Sequence, residues 1–69
     1  MYRLYVTEYF PMSPNHYEHD YATKEDAHAY IERHIYDSYY PPFVYAICEV
    51  SQNGMIRCVE TGCKHPKEV

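Results

Sequence analysis

The cysteine and histidine side chains near the C-terminus are the residues of this chain with the clearest metal-binding chemistry. Cys58, Cys63 and His65 follow one another at spacings of five and two residues, and thiolate and imidazole groups are preferred zinc ligands. Cys48, on a neighbouring predicted strand, is a fourth candidate. A tight zinc knuckle, however, needs two cysteines separated by two residues, and the chain has no such pair. Small buried cysteines are common in protein cores, so we expect no metal and no cofactor, with Cys58, Cys63 and His65 as the weaker alternative.

A second group with possible chemistry lies in residues 15–20, Asn-His-Tyr-Glu-His-Asp. His16 and His19, with carboxylates beside them, have the composition of a divalent-cation or acid–base site. No predicted helix or strand holds them in place, so a solvated loop is the favoured interpretation. The chain also lacks a phosphate-binding glycine loop and a nucleophile elbow, since it contains only two glycines. We therefore predict that the protein is not an enzyme.

Tyrosine is the residue type that most distinguishes the chain. There are ten tyrosines, beside two phenylalanines and no tryptophan. A domain of this length buries only about 60% of the surface that its unfolded chain exposes, so many of these rings should stand at the surface. Exposed tyrosine is well suited to contact with another macromolecule, because it combines a large ring with a hydrogen-bonding hydroxyl.

Charge and cysteine content narrow the class of partner and the compartment. The net charge of −4 argues against direct nucleic-acid binding, which depends on lysine and arginine, and leaves room for a protein partner with a basic surface. The N-terminus has no signal-peptide pattern, and no apolar stretch approaches the roughly 18 residues that span a bilayer. An odd number of cysteines is typical of a reducing compartment. We predict a cytoplasmic protein without a membrane segment.

The first half of the chain predicts a strand, a loop and a helix. Residues 2–10 are rich in aromatic and β-branched types and predict a strand with Leu4 and Val6 facing the core. Residues 11–22 contain two prolines and predict a long loop. Thr23 to Asp26 form a helix-start signature, and the helix should end near residue 37, before a Tyr-Tyr-Pro-Pro segment. Its predicted buried stripe is Ala27, Tyr30, Ile31, His34 and Ile35.

The second half predicts a β-hairpin of residues 43–51 and 55–61. Asn-Gly between two apolar runs is a strong hairpin signal. A two-residue turn would place Glu49 opposite Cys58. A three-residue loop with a left-handed Gly54 pairs Glu49 with Arg57 and Cys48 with Cys58, and we favour it because opposite charges meet. This register gathers one apolar face, to be covered by the helix: Val44, Ala46, Cys48, Val50, Ile56 and Cys58.

These elements predict an α+β fold of β-α-β-β order. The expected sheet is three-stranded and antiparallel, in the order 1-3-2, with the helix packed on one face by a right-handed crossover. The domain should comprise residues 1–62, followed by a polar tail of residues 63–69. One helix covers one side of such a sheet, so the other side should be open. Its predicted residues are Arg3, Tyr5, Thr7, Tyr9, Tyr45, Ile47, Glu49, Arg57 and Val59.

An open face of this composition is typical of an interaction surface or an oligomer interface. Folding of the loop over that face is the structural alternative. A further tyrosine cluster, Tyr36, Tyr39 and Tyr40, is predicted at the helix exit. The residues predicted to contact a partner are Tyr5, Tyr9 and Tyr45 on the open face, and Tyr17, Glu18, Asp20 and Tyr21 in the acidic loop.

Residues 21–32, Tyr-Ala-Thr-Lys-Glu-Asp-Ala-His-Ala-Tyr-Ile-Glu, and 45–50, Tyr-Ala-Ile-Cys-Glu-Val, with the following hairpin resemble small phage-encoded accessory proteins, in the style of anti-CRISPR inhibitors. The resemblance covers about residues 21–59 and transfers no site residue. It implies steric inhibition of a host protein, here one that handles nucleic acid. The alternative is a small homodimeric structural or housekeeping domain whose tyrosine face is the dimer interface.

Overall fold

The computed structural model describes residues 1–36 and 41–65, except for the side chains of Ile35 and Tyr36. Its helix, α1, spans Lys24–Tyr36, and its four strands form one antiparallel sheet. The strands are β1 (Tyr2–Tyr9), β2 (Pro14–Tyr21), β3 (Phe43–Val50) and β4 (Ile56–Lys64), in the order β2-β1-β3-β4. The helix packs on one side of this sheet, so the α+β class is confirmed and the three-stranded sheet is wrong.

The predicted loop of residues 11–22 contains strand β2. Its eight residues pair along the whole length of β1, from Tyr9 opposite Pro14 to Tyr2 opposite Tyr21. The missed signal is an alternation of aromatic and polar side chains: one face of the strand carries Tyr17, His19 and Tyr21, and the other carries His16, Glu18 and Asp20.

The additional strand also explains why the predicted order 1-3-2 is wrong. If the helix followed β1 directly, the next strand would run parallel to β1, and a third strand would have to lie between them. Because β2 reverses the chain before α1, β3 runs antiparallel to β1 and pairs with it directly. The last strand, β4, therefore lies at the edge of the sheet rather than in its interior.

The helix begins as its sequence predicts. The backbone amide of Asp26 donates to Thr23 Oγ1 at 3.1 Å, which satisfies one of the unpaired amides of the first turn. Ala27 and Ile31 are buried, and Tyr30 is half-buried against the sheet. The predicted end at Asp37 and the tyrosines at 39 and 40 lie outside the described residues.

The face of β3 that α1 covers is the opposite of the one predicted. Ile47 lies beside Leu4 of β1, Tyr45 lies beside Val6, and Phe43 is buried with them. Burial of phenylalanine, tyrosine and isoleucine removes more apolar surface from water than burial of valine, alanine and cysteine, which accounts for this choice. The covered side of the sheet is called the helix face below, and the uncovered side the open face.

The β3–β4 hairpin has the predicted register. Glu49 pairs with Arg57, Cys48 pairs with Cys58, and Gly54 is left-handed with φ of 85°. The pairing then shifts by one residue at a β-bulge, so that Ile47 lies opposite Glu60 and Val59 is the extra residue. The bulge reverses the alternation of β4, which extends to Lys64, three residues beyond the predicted end.

Glu60 joins the edge strand β4 to the helix. Its carboxylate lies 3.3 Å from Lys24 Nζ and 2.9 Å from His28 Nε2. Partial burial acts to raise the pKa of Glu60, but Lys24 and His28 outweigh it and hold that pKa below its ordinary value. The ionised carboxylate therefore stabilises the fold above its unfolded-state pKa, and this stabilisation is lost as the pH falls through the folded-state pKa.

We expect the thermal midpoint of the protein to fall more steeply than that of Glu60→Gln as the pH is lowered from about 6 to about 3. The glutamine variant has no carboxylate to protonate at this position, which gives it the shallower profile. Thermal unfolding followed by circular dichroism across this range measures both curves. Glu32→Gln, the same change on the exposed surface of α1, should follow the wild-type curve. Parallel curves for the wild type and Glu60→Gln would contradict the assignment.

Candidate interaction surface

The open face is a sheet surface without a covering element among the described residues. Strand alternation and the observed register show that all four strands contribute residues to the open face. They are Arg3, Tyr5, Thr7 and Tyr9 of β1, His16, Glu18 and Asp20 of β2, Val44, Ala46, Cys48 and Val50 of β3, and Ile56, Cys58, Thr61 and Cys63 of β4.

The β1–β2 half of the open face is polar and internally paired. Arg3 Nε donates to Asp20 Oδ1 at 2.7 Å, and this hydrogen bond holds the pKa of the Asp20 carboxyl below its usual value. Thr7 Oγ1 and His16 Nδ1 are hydrogen bonded at 2.9 Å. Glu18 lies between these two pairs, opposite Tyr5, and forms no ion pair with the described residues. The uncompensated charge of this half is therefore the Glu18 carboxylate.

The β3–β4 half is largely apolar. Val44 and Ile56 expose 38% and 51% of their surface, so a bound partner would bury further apolar area at both side chains. Ala46 and Val50 lie between them on β3 and are half-buried. Val44 and Ile56 thus lie at opposite ends of one apolar row, and a contiguous apolar row on a sheet surface is typical of interaction sites.

Two shallow grooves border the strand β1, one on its β2 side and the other on its β3 side. One is bordered by His16 and Glu18 of β2, and the other by Val44 and Ala46 of β3 and by Thr61 and Cys63 of β4. Both include Tyr5 and Thr7 of the central strand β1. Tyr5 and Thr7 therefore lie between the two grooves.

The tyrosines predicted to bind a partner are divided between the two faces. Tyr5 and Tyr9 lie on the open face, and 52% of the surface of Tyr9 is exposed. Glu18 and Asp20 lie beside them, on β2 rather than in a loop. Three further members of the predicted set are half-buried on the helix face, namely Tyr17, Tyr21 and Tyr45.

The helix-face tyrosines form part of the contact between α1 and the sheet. The Tyr30 hydroxyl donates to the Tyr17 hydroxyl at 2.9 Å, and the two rings meet edge to face. Burial raises the pKa of Tyr17 above its usual range, and the hydrogen bond with Tyr30 adds to this effect. Tyr45 lies over Gly62, where a Cβ would come within 2.6 Å of the tyrosine ring, so only glycine leaves room for the ring. These contacts are consistent with a packing role.

A buried carboxylate of β1 faces the helix. Glu8, 7% exposed, accepts a hydrogen bond from Asn15 Nδ2 at 3.0 Å, and its other oxygen lies 3.1 Å from His34 Nε2. His34 also stacks on Tyr30 and meets the edge of Phe43. The His34 side chain lies on the predicted apolar stripe of α1, and the Glu8 carboxylate is one of its contacts.

The metal candidates are not assembled into a site. Across residues 1–36 and 41–65, no three side chains of histidine, cysteine, aspartate or glutamate are grouped closely enough to hold a metal ion. Cys58 lies opposite Cys48, and Cys63 lies opposite Val44 further along the same strand.

The apolar residues of the open face were not predicted to lie there. Val44, Ala46 and Cys48 were assigned to the core because their strand has two apolar faces, and the sequence does not state which one the helix covers. The larger size of Phe43 and Ile47 is the signal that favours the observed arrangement. Ile56 was missed for the same reason, since it pairs with Val50.

Comparisons of the chain with protein-family models, with curated proteins and with solved structures each found no match. Within the described part of the chain, no helix is both long and apolar enough to cross a membrane.

Proposed function

We propose that the protein is a non-enzymatic protein-binding domain that holds its partner on the open face of its sheet. The observation that carries this proposal is the composition of a sheet side that α1 does not cover. Tyr5 and Tyr9 provide rings, Val44 and Ile56 provide exposed aliphatic surface, and the two shallow grooves beside Tyr5 offer room for side chains of the partner. Rings and aliphatic groups beside a polar border are the usual anatomy of a protein interface.

The partner has a basic group beside an apolar contact area. Asp20 is already paired with Arg3, so it offers little further attraction to a partner. Glu18 is exposed and forms no ion pair with residues of the described ranges, so its carboxylate is available to an arginine or lysine. The net charge of −4 adds long-range attraction toward a basic surface and disfavours direct contact with nucleic acid.

A phage-type inhibitor of a nucleic-acid-handling host protein is the more specific form of the proposal. The small size, the acidic charge and the resemblance to small phage-encoded accessory proteins support it, since proteins that bind nucleic acid carry the required basic surfaces. Cytoplasmic action fits the three free cysteines, because reducing compartments keep thiols unpaired.

Two charge-reversal variants, one on the open face and one on the helix, test whether the open face binds the partner. Glu18→Lys should weaken partner binding at least about tenfold, because it places a like charge opposite the partner's basic group. Glu32→Lys makes the same change on the exposed surface of α1 and should leave binding unchanged. Affinity capture from host extract with each variant, followed by titration of the captured protein, measures the difference.

Two further measurements make the test decisive. Val44→Lys should reduce the same binding without a large change in thermal midpoint, since Val44 is exposed. Carbodiimide coupling should join Glu18 to a lysine of the captured protein.

Loss of binding with Glu32→Lys but not with Glu18→Lys would overturn the proposal. A tight dimer in light scattering that Val44→Lys dissociates would instead assign the open face to a homodimer interface.

A further inference from the structure

Two thiols face each other on the open face without a bond between them. Cys48 and Cys58 are direct partners in the β3–β4 register, and both are free cysteines. Burial raises the pKa of the Cys48 thiol, and the neighbouring Cys58 thiol raises it further, while Cys58 Sγ donates to the Glu60 carbonyl at 3.7 Å. The strand register therefore places the two cysteines directly opposite each other in the folded chain.

The hairpin geometry brings this pair within reach of a disulfide. The Ser51 amide donates to the Met55 carbonyl at 2.9 Å, which makes residues 51 and 55 a hydrogen-bonded pair. Pairs alternate along an antiparallel ladder, so 50 with 56 and 48 with 58 are non-hydrogen-bonded pairs, in which the Cα atoms are about 4.5 Å apart. Disulfides span Cα separations of about 4.4–6.8 Å, so this pair can be bridged with little backbone movement.

The two cysteines differ in access to solvent. Cys58 is exposed and can be reached by a small molecule, whereas Cys48 on the neighbouring strand is only 6% exposed. An exposed thiol with a second thiol beside it matches the pairing of an attacking and a resolving cysteine. Cys63, although exposed, lies opposite Val44 and has no cysteine as its cross-strand partner.

We propose that Cys48 and Cys58 form a thiol–disulfide site that reacts with low-molecular-weight disulfides and closes a reversible cross-strand bond. The Cys58 thiolate attacks one sulfur of the oxidised small molecule, and the other sulfur leaves as a thiolate. The Cys48 thiolate then attacks Cys58 Sγ, the protein disulfide forms, and a second small thiolate leaves. Two protein thiols are oxidised and one small disulfide is reduced to two thiols, so electrons and protons balance.

Equilibration of the reduced full-length protein with oxidised glutathione at neutral pH tests the site. After an alkylating quench, the expected product is a monomer in which the Cys48–Cys58 bond removes the mass of two hydrogen atoms and only Cys63 carries an alkyl group or glutathione. Peptide mapping should place the bond between Cys48 and Cys58, and dithiothreitol should reverse it. Cys63→Ser has no third thiol, so it should form the same bond and carry neither an alkyl group nor glutathione.

The same reaction in urea supplies the control for folding. In an unfolded chain the shorter loop closes more readily, so Cys58 should pair with Cys63 more often than with Cys48. Folding should therefore shift the ratio of 48–58 to 58–63 bonds by a factor on the order of ten or more. A stable glutathione adduct on Cys58, an equal ratio in both conditions, or an intramolecular bond in Cys58→Ser would overturn the proposal.

Discussion

The Ile47→Ala variant is expected to lose about 2–5 kcal/mol of unfolding free energy, the range typical of a large aliphatic side chain truncated in a core. Ile47 is fully buried in β3 beside Leu4 of β1, and removal of its side chain leaves a cavity beneath α1. A domain of 69 residues has an unfolding free energy of only about 3–10 kcal/mol, so this substitution removes a large part of the total stability. Urea unfolding followed by circular dichroism measures the loss.

Val44→Ala is the matched control for this experiment. It removes aliphatic groups from the other face of the same strand, where 38% of the Val44 surface is exposed. Its cost should remain below about 1 kcal/mol. If Val44→Ala proved the more damaging change, β3 would face the helix with its even-numbered residues, and the open face described above would be wrong.

The second large effect is expected at Glu8. Glu8→Ala should lower the free energy of unfolding by about 1–3 kcal/mol, because Asn15 and His34 lose their shared acceptor between the sheet and the helix. Glu8→Gln keeps one acceptor oxygen and a similar shape, so its loss should be smaller. Chemical unfolding of the three proteins at neutral pH gives the order of stability.

A double-mutant cycle separates the Glu8–His34 interaction from simple packing. The effects of Glu8→Ala and His34→Ala should be coupled by more than about 0.5 kcal/mol, since the two side chains are in contact. Glu8→Ala and Glu32→Ala should be additive, because Glu32 lies exposed on α1. Additivity in the first pair would show that the Glu8–His34 contact contributes no stability of its own.

Local sequence signals predicted the helix and the terminal hairpin. The cap at Thr23 satisfies an amide of its own helix, and the left-handed Gly54 sets the turn between two adjacent strands. The charge pair Glu49 and Arg57 selects one register of that hairpin over the other. Each of these signals acts over a few residues, so sequence spacing alone contains the relevant geometry.

Strand β2 could not be recognised in the same way. Its outward side carries His16, Glu18 and Asp20, which resemble a solvated loop, and its inward rings find their contacts on other elements. Tyr17, for example, is positioned by the hydroxyl of Tyr30 on α1. The strand is held by pairing with β1 and by packing under the helix, and the sequence of residues 14–21 by itself shows neither contact.

The sequence predicted an open sheet face as the candidate site, but it predicted only some of the residues on that face. An open sheet face with Tyr5 and Tyr9 was expected, and both residues lie there with Glu18 and Asp20. Tyr45 was expected on the same face and lies under the helix instead. Its place is taken by the aliphatic side chains of the other face of β3, which changes the surface from tyrosine-rich to mixed.

By itself, the sequence determined the features that depend on near neighbours: the capped helix, the Asn-Gly turn, and the pairing of Cys48 with Cys58 across it. The tertiary structure alone decided the existence of β2, the strand order and the face of β3 that became the core. These features depend on how much apolar area the helix and the sheet bury together. Because both faces of β3 are similarly apolar, the sequence of that strand does not show which face the helix covers. The surface proposed to bind a partner is the one that this choice left uncovered.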